Sequence, residues 1–95
     1  MKRGAMFITT ARGGIHDEQA LAEALRSGHL SGAGLDVWDQ EPPALDHPLL
    51  AMRNVVIAPH LGSATVQTRR KMAERSLANL MAGLAGEVLP FPIGG

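Results

Sequence analysis

The chain of 95 residues contains no cysteine, no excess of either charge and no long hydrophobic run. Without cysteine it has no disulfide, no thiol nucleophile and no zinc–thiolate site, which favours a reducing compartment such as the cytoplasm. Nine basic residues balance nine acidic ones, so the net charge favours neither nucleic acid nor an anionic membrane surface as a partner. No apolar segment approaches the ~20 residues that a membrane span requires.

The residues that are present favour a packed α/β domain. Hydrophobic residues make up 45% of the chain, which is typical of a globular core. Short apolar segments predict strands at 5–9, 32–37 and 55–58. Helical spacing predicts a helix over about 18–27, capped by Asp17 and ended by Gly28, and a long amphipathic helix from Thr65 to Gly86. A proline-rich connection lies between the second and third strands, with a short turn at 48–50.

This order of elements predicts an incomplete sheet. Strands alternating with helices indicate an α/β fold with parallel strands, which need cover on both faces. Two helices are too few for that cover, and at least one sheet edge should be open. Both features suggest that an N-terminal part is missing.

Ionisable side chains follow each predicted strand. Arg12 follows the first strand, Asp36 and Glu41 follow the second, and His60 follows the third. Ligands bind at the carboxyl ends of the strands in open parallel sheets, so these groups could share one site. Each also has a structural explanation. Arg12 could pair with a surface carboxylate, His60 could be a capping or core residue, Glu41 could be solvated, and Asp36 could close the strand-end turn.

Six segments form an ordered set of motifs: 9–14 (TTARGG), 17–28, 32–37 (GAGLDV), 41–42 (EP), 48–50 (PLL) and 54–65 (NVVIAPHLGSAT). In order, and with similar spacing from about Gly4 to Gly86, they resemble the motifs of the D-isomer-specific 2-hydroxyacid dehydrogenases. Any one of them alone is weak, whereas the ordered set is specific.

The resemblance implies catalytic roles for three residues. Arg12 would bind the carboxylate and carbonyl of a 2-oxo acid, which suits its planar, bidentate guanidinium. His60 would be the general acid/base that delivers a proton to the substrate oxygen or removes it. Glu41 would pair with His60, fix its tautomer and favour its protonated form.

The resemblance also implies NAD or NADP as the cofactor. Asp36 would lie near the nicotinamide and accept from its carboxamide. The remaining candidates for the nicotinamide pocket are Thr10, Ala11, Gly62 and Ser63. Two positions depart from the family: Thr9 stands where Asn is common, and His16, expected to be exposed, stands where an aliphatic residue is common.

The dinucleotide fingerprint Gly-x-Gly-x-x-Gly does not occur, because Val37 stands where a third glycine would follow Gly32 and Gly34. We therefore expect a partial Rossmann fold of three parallel strands and two main helices, without the N-terminal half of the domain. Residues 1–88 would be the C-terminal half of an NAD(P)-binding domain. Residues 89–95 would be an extended tail leading toward a missing substrate domain.

These features leave two main functional hypotheses. In the first, the chain is a fragment of an NAD(P)-dependent D-2-hydroxyacid dehydrogenase, inactive alone and homodimeric in its full-length form. In the second, it is a non-catalytic module that dimerises or complements a separate N-terminal half. Hydrolysis by Ser63, His60 and Asp36 is disfavoured, because no Gly-x-Ser-x-Gly elbow surrounds Ser63. No metal site is expected, since His29 and His47 lack ligand spacing and are interpreted as surface residues.

Overall fold

The computed structural model describes residues 1–94, which divide into two compact units. The first unit is Met1–Gly62, and the second starts at Ser63. The predicted domain limits, 1–88 and 89–95, are not tested by this division and stay a prediction.

The first unit is a parallel sheet with one helix. Its three strands lie in the order β1-β2-β3, and both neighbouring pairs are parallel, which confirms the predicted α/β class. The second strand starts and ends two residues earlier than 32–37, because Leu30 already pairs with Ala5. The elements are β1 (Ala5–Thr9), α1 (Glu18–Arg26), β2 (Leu30–Leu35), a 3₁₀ turn (Pro48–Ala51) and β3 (Val55–Ile57).

Helix α1 covers one face of this sheet. Asp17 caps it by accepting from the Ala20 amide at 3.0 Å, and Gly28 follows its end with φ of 75°. Apolar residues of the helix, the sheet and the loop after β2 form one core. Its buried members are Leu21, Ala22, Leu25, Leu30, Ala33, Leu35, Trp38 and Leu49.

The opposite face of the sheet is open. Ile8 and Val56 are each 73% exposed, and both are register partners of Gly34, which lies between them. Alternate residues of a strand point to opposite faces, so these side chains line the face that α1 does not cover. The result is a shallow apolar surface with a glycine at its centre.

His16 differs from the expectation that it is exposed. Its ring packs 5.1 Å from the ring of Phe7, and both ring nitrogens are buried, with no hydrogen-bond partner among the described residues. The prediction was wrong because the loop before α1 folds back onto β1. His16 therefore packs against β1 as an aliphatic residue at this position would.

The second unit contains one long helix, α2 (Val66–Leu84), as predicted. Thr65 caps it by accepting from the Thr68 amide at 3.1 Å, and Gly86 follows its end with φ of 70°. The tail returns along this helix, because the side chain of Asn79 bonds both the amide and the carbonyl of Phe91. Neither this helix nor α1 is long and apolar enough to cross a membrane.

Candidate active site

The loop between β1 and α1 presents Arg12 at the carboxyl end of the sheet. Its Nη1 atom lies 3.1 Å from Nε2 of His60 and also donates to the Ala11 carbonyl at 3.2 Å. Gly13 lets this loop lie directly on the backbone after β2, since a Cβ there would stand 2.1 Å from the Trp38 carbonyl oxygen. No residue with a side chain could take that place without moving the loop.

Glu41 lies in the segment that follows β2. Its Oε1 atom accepts from the backbone amide of Trp38 at 3.2 Å, and its carboxylate faces His60. The hydrogen bond from His60, followed by the one from the Trp38 amide, holds the pKa of Glu41 below its usual 4.5. The residue is therefore a carboxylate near neutral pH.

His60 follows β3 and connects the other two residues. Its Nδ1 atom lies 2.8 Å from Oε2 and 3.1 Å from Oε1 of Glu41, while Nε2 faces Arg12. A carboxylate can only accept hydrogen bonds, whereas a guanidinium can only donate them. The network thus assigns a neutral imidazole that donates from Nδ1 to Glu41 and accepts at Nε2 from Arg12.

Asp36 holds the backbone around His60. Its Oδ1 atom accepts from the Leu61 amide and its Oδ2 atom from the Gly62 amide, both at 2.7 Å. His60 itself has φ of 59°, a left-handed conformation that is uncommon outside glycine. The buried carboxylate of Asp36 therefore fixes a turn that local sequence alone would not favour.

Two depressions flank His60. A cleft of about 470 Å³ includes His60, Glu41 and Trp38 in its wall, together with the prolines 42, 43 and 59. A groove of about 330 Å³ runs over the open sheet face and ends at the tips of the strands. Its wall is formed by Ile8, Thr9, Thr10, Gly34, Leu35, Asp36, Val56, Ile57, Ala58, Leu61 and Gly62.

The candidate site residues form two groups and leave two single residues, Ala11 and Ser63. Arg12, Glu41 and His60 lie in one hydrogen-bonded chain. Thr10, Asp36 and Gly62 border the groove, whereas Ala11 is not among the groove residues and bonds locally, its amide lying 3.3 Å from Oγ1 of Thr9. Ser63 is the first residue of the second unit, and its contact with a cofactor stays a prediction.

Sequence reasoning missed a second His–carboxylate pair. Nε2 of His47 lies 3.1 Å from Oε1 of Glu18, and only 20% and 11% of the two side chains are exposed. The interpretation of His47 as a surface residue is therefore wrong. The ring of His47 packs edge-on against Trp38 at 5.1 Å, a contact that no motif or spacing indicates. Among the described residues no group of three or more potential ligands could hold a metal ion.

Residues 1–62 match the family model described as D-isomer specific 2-hydroxyacid dehydrogenase, NAD binding domain. The chain belongs to this family. The expected cofactor class, NAD or NADP, agrees with that NAD-binding domain.

Curated relatives within the dehydrogenase family are much longer than this chain. A glyoxylate reductase of Thermofilum pendens is 50% identical over 90 residues, which are 95% of this chain and 26% of the relative. A glyoxylate/hydroxypyruvate reductase B of an Enterobacter species is 52% identical over 88 residues, which are 93% of this chain and 27% of the relative. The chain thus spans about a quarter of the length of these reductases.

Solved structures share the fold of this chain. The TT0316 protein of Thermus thermophilus is 56% identical and has a TM-score of 0.78. The match covers 98% of this chain and 30% of the TT0316 chain. An NADPH-dependent glyoxylate/hydroxypyruvate reductase of Sinorhizobium meliloti, solved with NADP and malonate, is 36% identical. Its TM-score is 0.83, and the match covers 98% of this chain and 29% of the reductase chain.

The groove over the open sheet face fits a nicotinamide ring. The groove is lined largely by apolar residues, among them Ile8, Gly34 and Val56, which suits the face of an aromatic ring. Thr10 and Asp36 add polar groups at its end. Each oxygen of Asp36 accepts one backbone amide and keeps a second lone pair for a ligand donor such as a carboxamide. The residues present are therefore compatible with the nicotinamide end of the cofactor.

Proposed function

We propose that the chain supplies the substrate-binding and acid–base groups of an NAD(P)-dependent oxidoreductase that interconverts a D-2-hydroxy acid and a 2-oxo acid. The observation that carries this proposal is the hydrogen-bonded chain from Arg12 through His60 to Glu41. A small substrate such as glyoxylate or hydroxypyruvate is consistent with the names of the relatives. Cytoplasmic location and a homodimer in a longer protein stay predictions.

Arg12 would bind and orient the substrate. Its guanidinium can donate in parallel to a carboxylate and to the neighbouring carbonyl oxygen. Because its Nη1 atom already lies 3.1 Å from Nε2 of His60, a carbonyl oxygen held by Arg12 would lie near the nitrogen that must exchange a proton with it. Binding would replace the direct Arg12–His60 contact.

His60 would exchange the proton at Nε2. In reduction, the protonated ring would give that proton to the substrate oxygen, and in oxidation the neutral ring would take it from the hydroxyl. The Glu41 carboxylate would hold Nδ1–H throughout, keeping Nε2 as the reactive nitrogen. When bound, the nicotinamide supplies or accepts the hydride at the substrate carbon.

Titration with oxamate, an unreactive mimic of a 2-oxo acid, tests the binding step. The side-chain NMR signals of Arg12 and His60 should shift together, and Arg12→Lys should weaken binding by about tenfold because a bidentate contact is lost. Arg53→Lys is the matched control, since exposed Arg53 precedes β3 at the other end of the sheet. Binding that leaves both signals unchanged, or that Arg12→Lys does not weaken, would overturn the proposal.

We also propose that this chain does not turn over by itself. No Gly-x-Gly-x-x-Gly occurs in its sequence, and this motif normally places the pyrophosphate at a helix N-terminus. With glyoxylate and NADH or NADPH, we expect no loss of the absorbance of the reduced nicotinamide. Turnover that His60→Gln abolishes would contradict this inactivity.

A non-catalytic module is the second candidate, and the open sheet face favours it. Met6, Ile8 and Val56 are 69–73% exposed on that face, so a second chain could cover them. If they mediate association, Val56→Lys should shift the chain toward a monomer in analytical ultracentrifugation. Gln19→Lys, an equal charge change at an exposed position of α1, should not. A monomeric parent chain would count against this candidate.

A further inference from the structure

A second His–Glu pair lies outside the Arg12–His60–Glu41 chain. Nε2 of His47 contacts Oε1 of Glu18 at 3.1 Å, and the two side chains are 20% and 11% exposed. The His60–Glu41 pair is more open, with side chains that are 37% and 40% exposed. The Glu18–His47 pair is thus the more buried of the two.

The orientation of His47 is fixed from both sides. The backbone amide of Leu49 donates to Nδ1 at 3.2 Å, so this nitrogen is an acceptor and Nε2 carries the proton that Glu18 accepts. Trp38 packs edge-on against the ring, with centroids 5.1 Å apart. His47 therefore joins the start of the 3₁₀ turn to the first residue of α1.

Glu18 also contacts the other end of the same segment. Its Oε2 atom accepts from the Asp39 amide at 3.2 Å, while a carboxylate oxygen of Asp39 accepts from the Gly14 amide. One carboxylate, placed at the start of the helix that carries buried Leu21 and Leu25, thus connects residues 39 and 47. These are the two ends of the segment that bears Glu41.

Residues 39–47 have little other support. From 39 to 46 every residue except half-buried Pro43 is exposed, so the segment contributes little to the core. Glu41 hydrogen-bonds with His60 and Trp38. Neither Glu18 nor His47 bonds it directly. Any influence of the pair on Glu41 must therefore pass through the backbone of the segment or through Trp38, whose ring contacts His47 and whose amide donates to Glu41.

We propose that Glu18 and His47 are positioning residues that hold the segment 39–47 so that Glu41 meets Nδ1 of His60. The significance of that contact rests on the proposed function. The positioning itself does not, and it can be measured in the chain without substrate or cofactor.

Removal of the pair should be visible in the titration of Glu41. The pKa of Glu41 is lowered by His60 and by the Trp38 amide, so His47→Leu should move it upward, toward 4.5, in a carboxyl-carbon NMR titration. Exchange of the Trp38 amide, which donates to Glu41, should accelerate by about tenfold, as expected for the loss of about one hydrogen bond. His47→Gln can still donate to Glu18 and should keep most of the parent behaviour.

His29→Leu is the matched control. It removes another partly buried imidazole of the first unit, which contacts the Met1 carbonyl, and should leave the Glu41 titration unchanged. Glu18→Ala provides a second test if His47→Leu fails to fold, and Glu18→Gln a milder third one.

The outcomes separate this proposal from the proposed function. An upward shift in folded His47→Leu or in a folded Glu18 variant, absent in His29→Leu, supports positioning even if oxamate does not bind. An unchanged Glu41 titration in these folded variants overturns it, even if oxamate binds through Arg12.

Discussion

The backbone amide of Gly62 donates to Oδ2 of Asp36 at 2.7 Å, and a methyl group added to Gly62 would lie 3.1 Å from that oxygen. The two residues are therefore in close contact. Because Leu61 donates to the other oxygen of the same carboxylate, Asp36 determines the path of the chain just after His60. The aspartate therefore serves the geometry of the imidazole.

Asp36→Asn should destabilise the chain. One oxygen would become an amide nitrogen that faces a backbone N–H, so a hydrogen bond to a charged group would be lost at a buried site. We expect the free energy of unfolding to fall by about 2 kcal/mol, measured by urea denaturation. Asp46→Asn, at an exposed position, is the control. Equal stabilities of the two variants would contradict the role of Asp36.

Gly13→Ala should displace the loop that carries Arg12. The added Cβ would lie 2.1 Å from the Trp38 carbonyl oxygen, and the backbone of the loop must move to remove such an overlap. We expect a loss of about 1–3 kcal/mol in unfolding free energy, together with altered NMR shifts of Arg12 and Trp38. Gly34→Ala should be tolerated better, since its Cβ would meet Ile8 at an ordinary 3.5 Å. The reverse order of stabilities would be inconsistent with this packing.

Glu41 should add a pH-dependent contribution to stability. Its folded pKa is lowered from 4.5, so its contribution is fully present above that value and is lost as the pH falls through the folded pKa. The stability difference between the parent and Glu41→Gln should therefore shrink as the pH falls into the acid range. Urea titrations at several pH values measure it. A stability difference between the parent and Glu41→Gln that is independent of pH would refute the prediction.

Asn79→Ala should release the tail from α2. The side chain of Asn79 donates to the Phe91 carbonyl at 2.7 Å and accepts from its amide at 2.9 Å, so the variant loses both bonds. Hydrogen exchange of the Phe91 amide should become about tenfold faster, since each bond contributes about 1 kcal/mol. Gln67→Ala, exposed on the same helix, should leave this exchange unchanged. Unaltered exchange in Asn79→Ala would mean that other contacts hold the tail.

The strands and helices were predictable because their signals are local. Asp17 and Gly28 mark the ends of α1 by capping chemistry, and the β1 segment 5–9 is a short apolar run between glycine-rich turns. The shared edge of Arg12, Asp36, Glu41 and His60 also followed from the sequence, since parallel strands place their carboxyl ends together. Their order along the chain was sufficient for that expectation.

The contacts inside the loops were not predictable in the same way. His47 and Glu18 are 29 residues apart, and His47 lies outside the periodic segments, so only the folded backbone brings the two residues together. The same holds for His16, which packs on Phe7 because of how the loop before α1 folds. Such contacts depend on loop conformation, which hydrophobic periodicity does not encode.

Trp38 is the only tryptophan of the chain, and it is 5% exposed within the first unit. Its amide contacts Glu41, its ring contacts His47, and its carbonyl lies against Gly13. The protein therefore carries a built-in fluorophore at the junction of the two loops that bear Arg12 and Glu41. Its emission spectrum can follow the arrangement of these loops in solution without any added label.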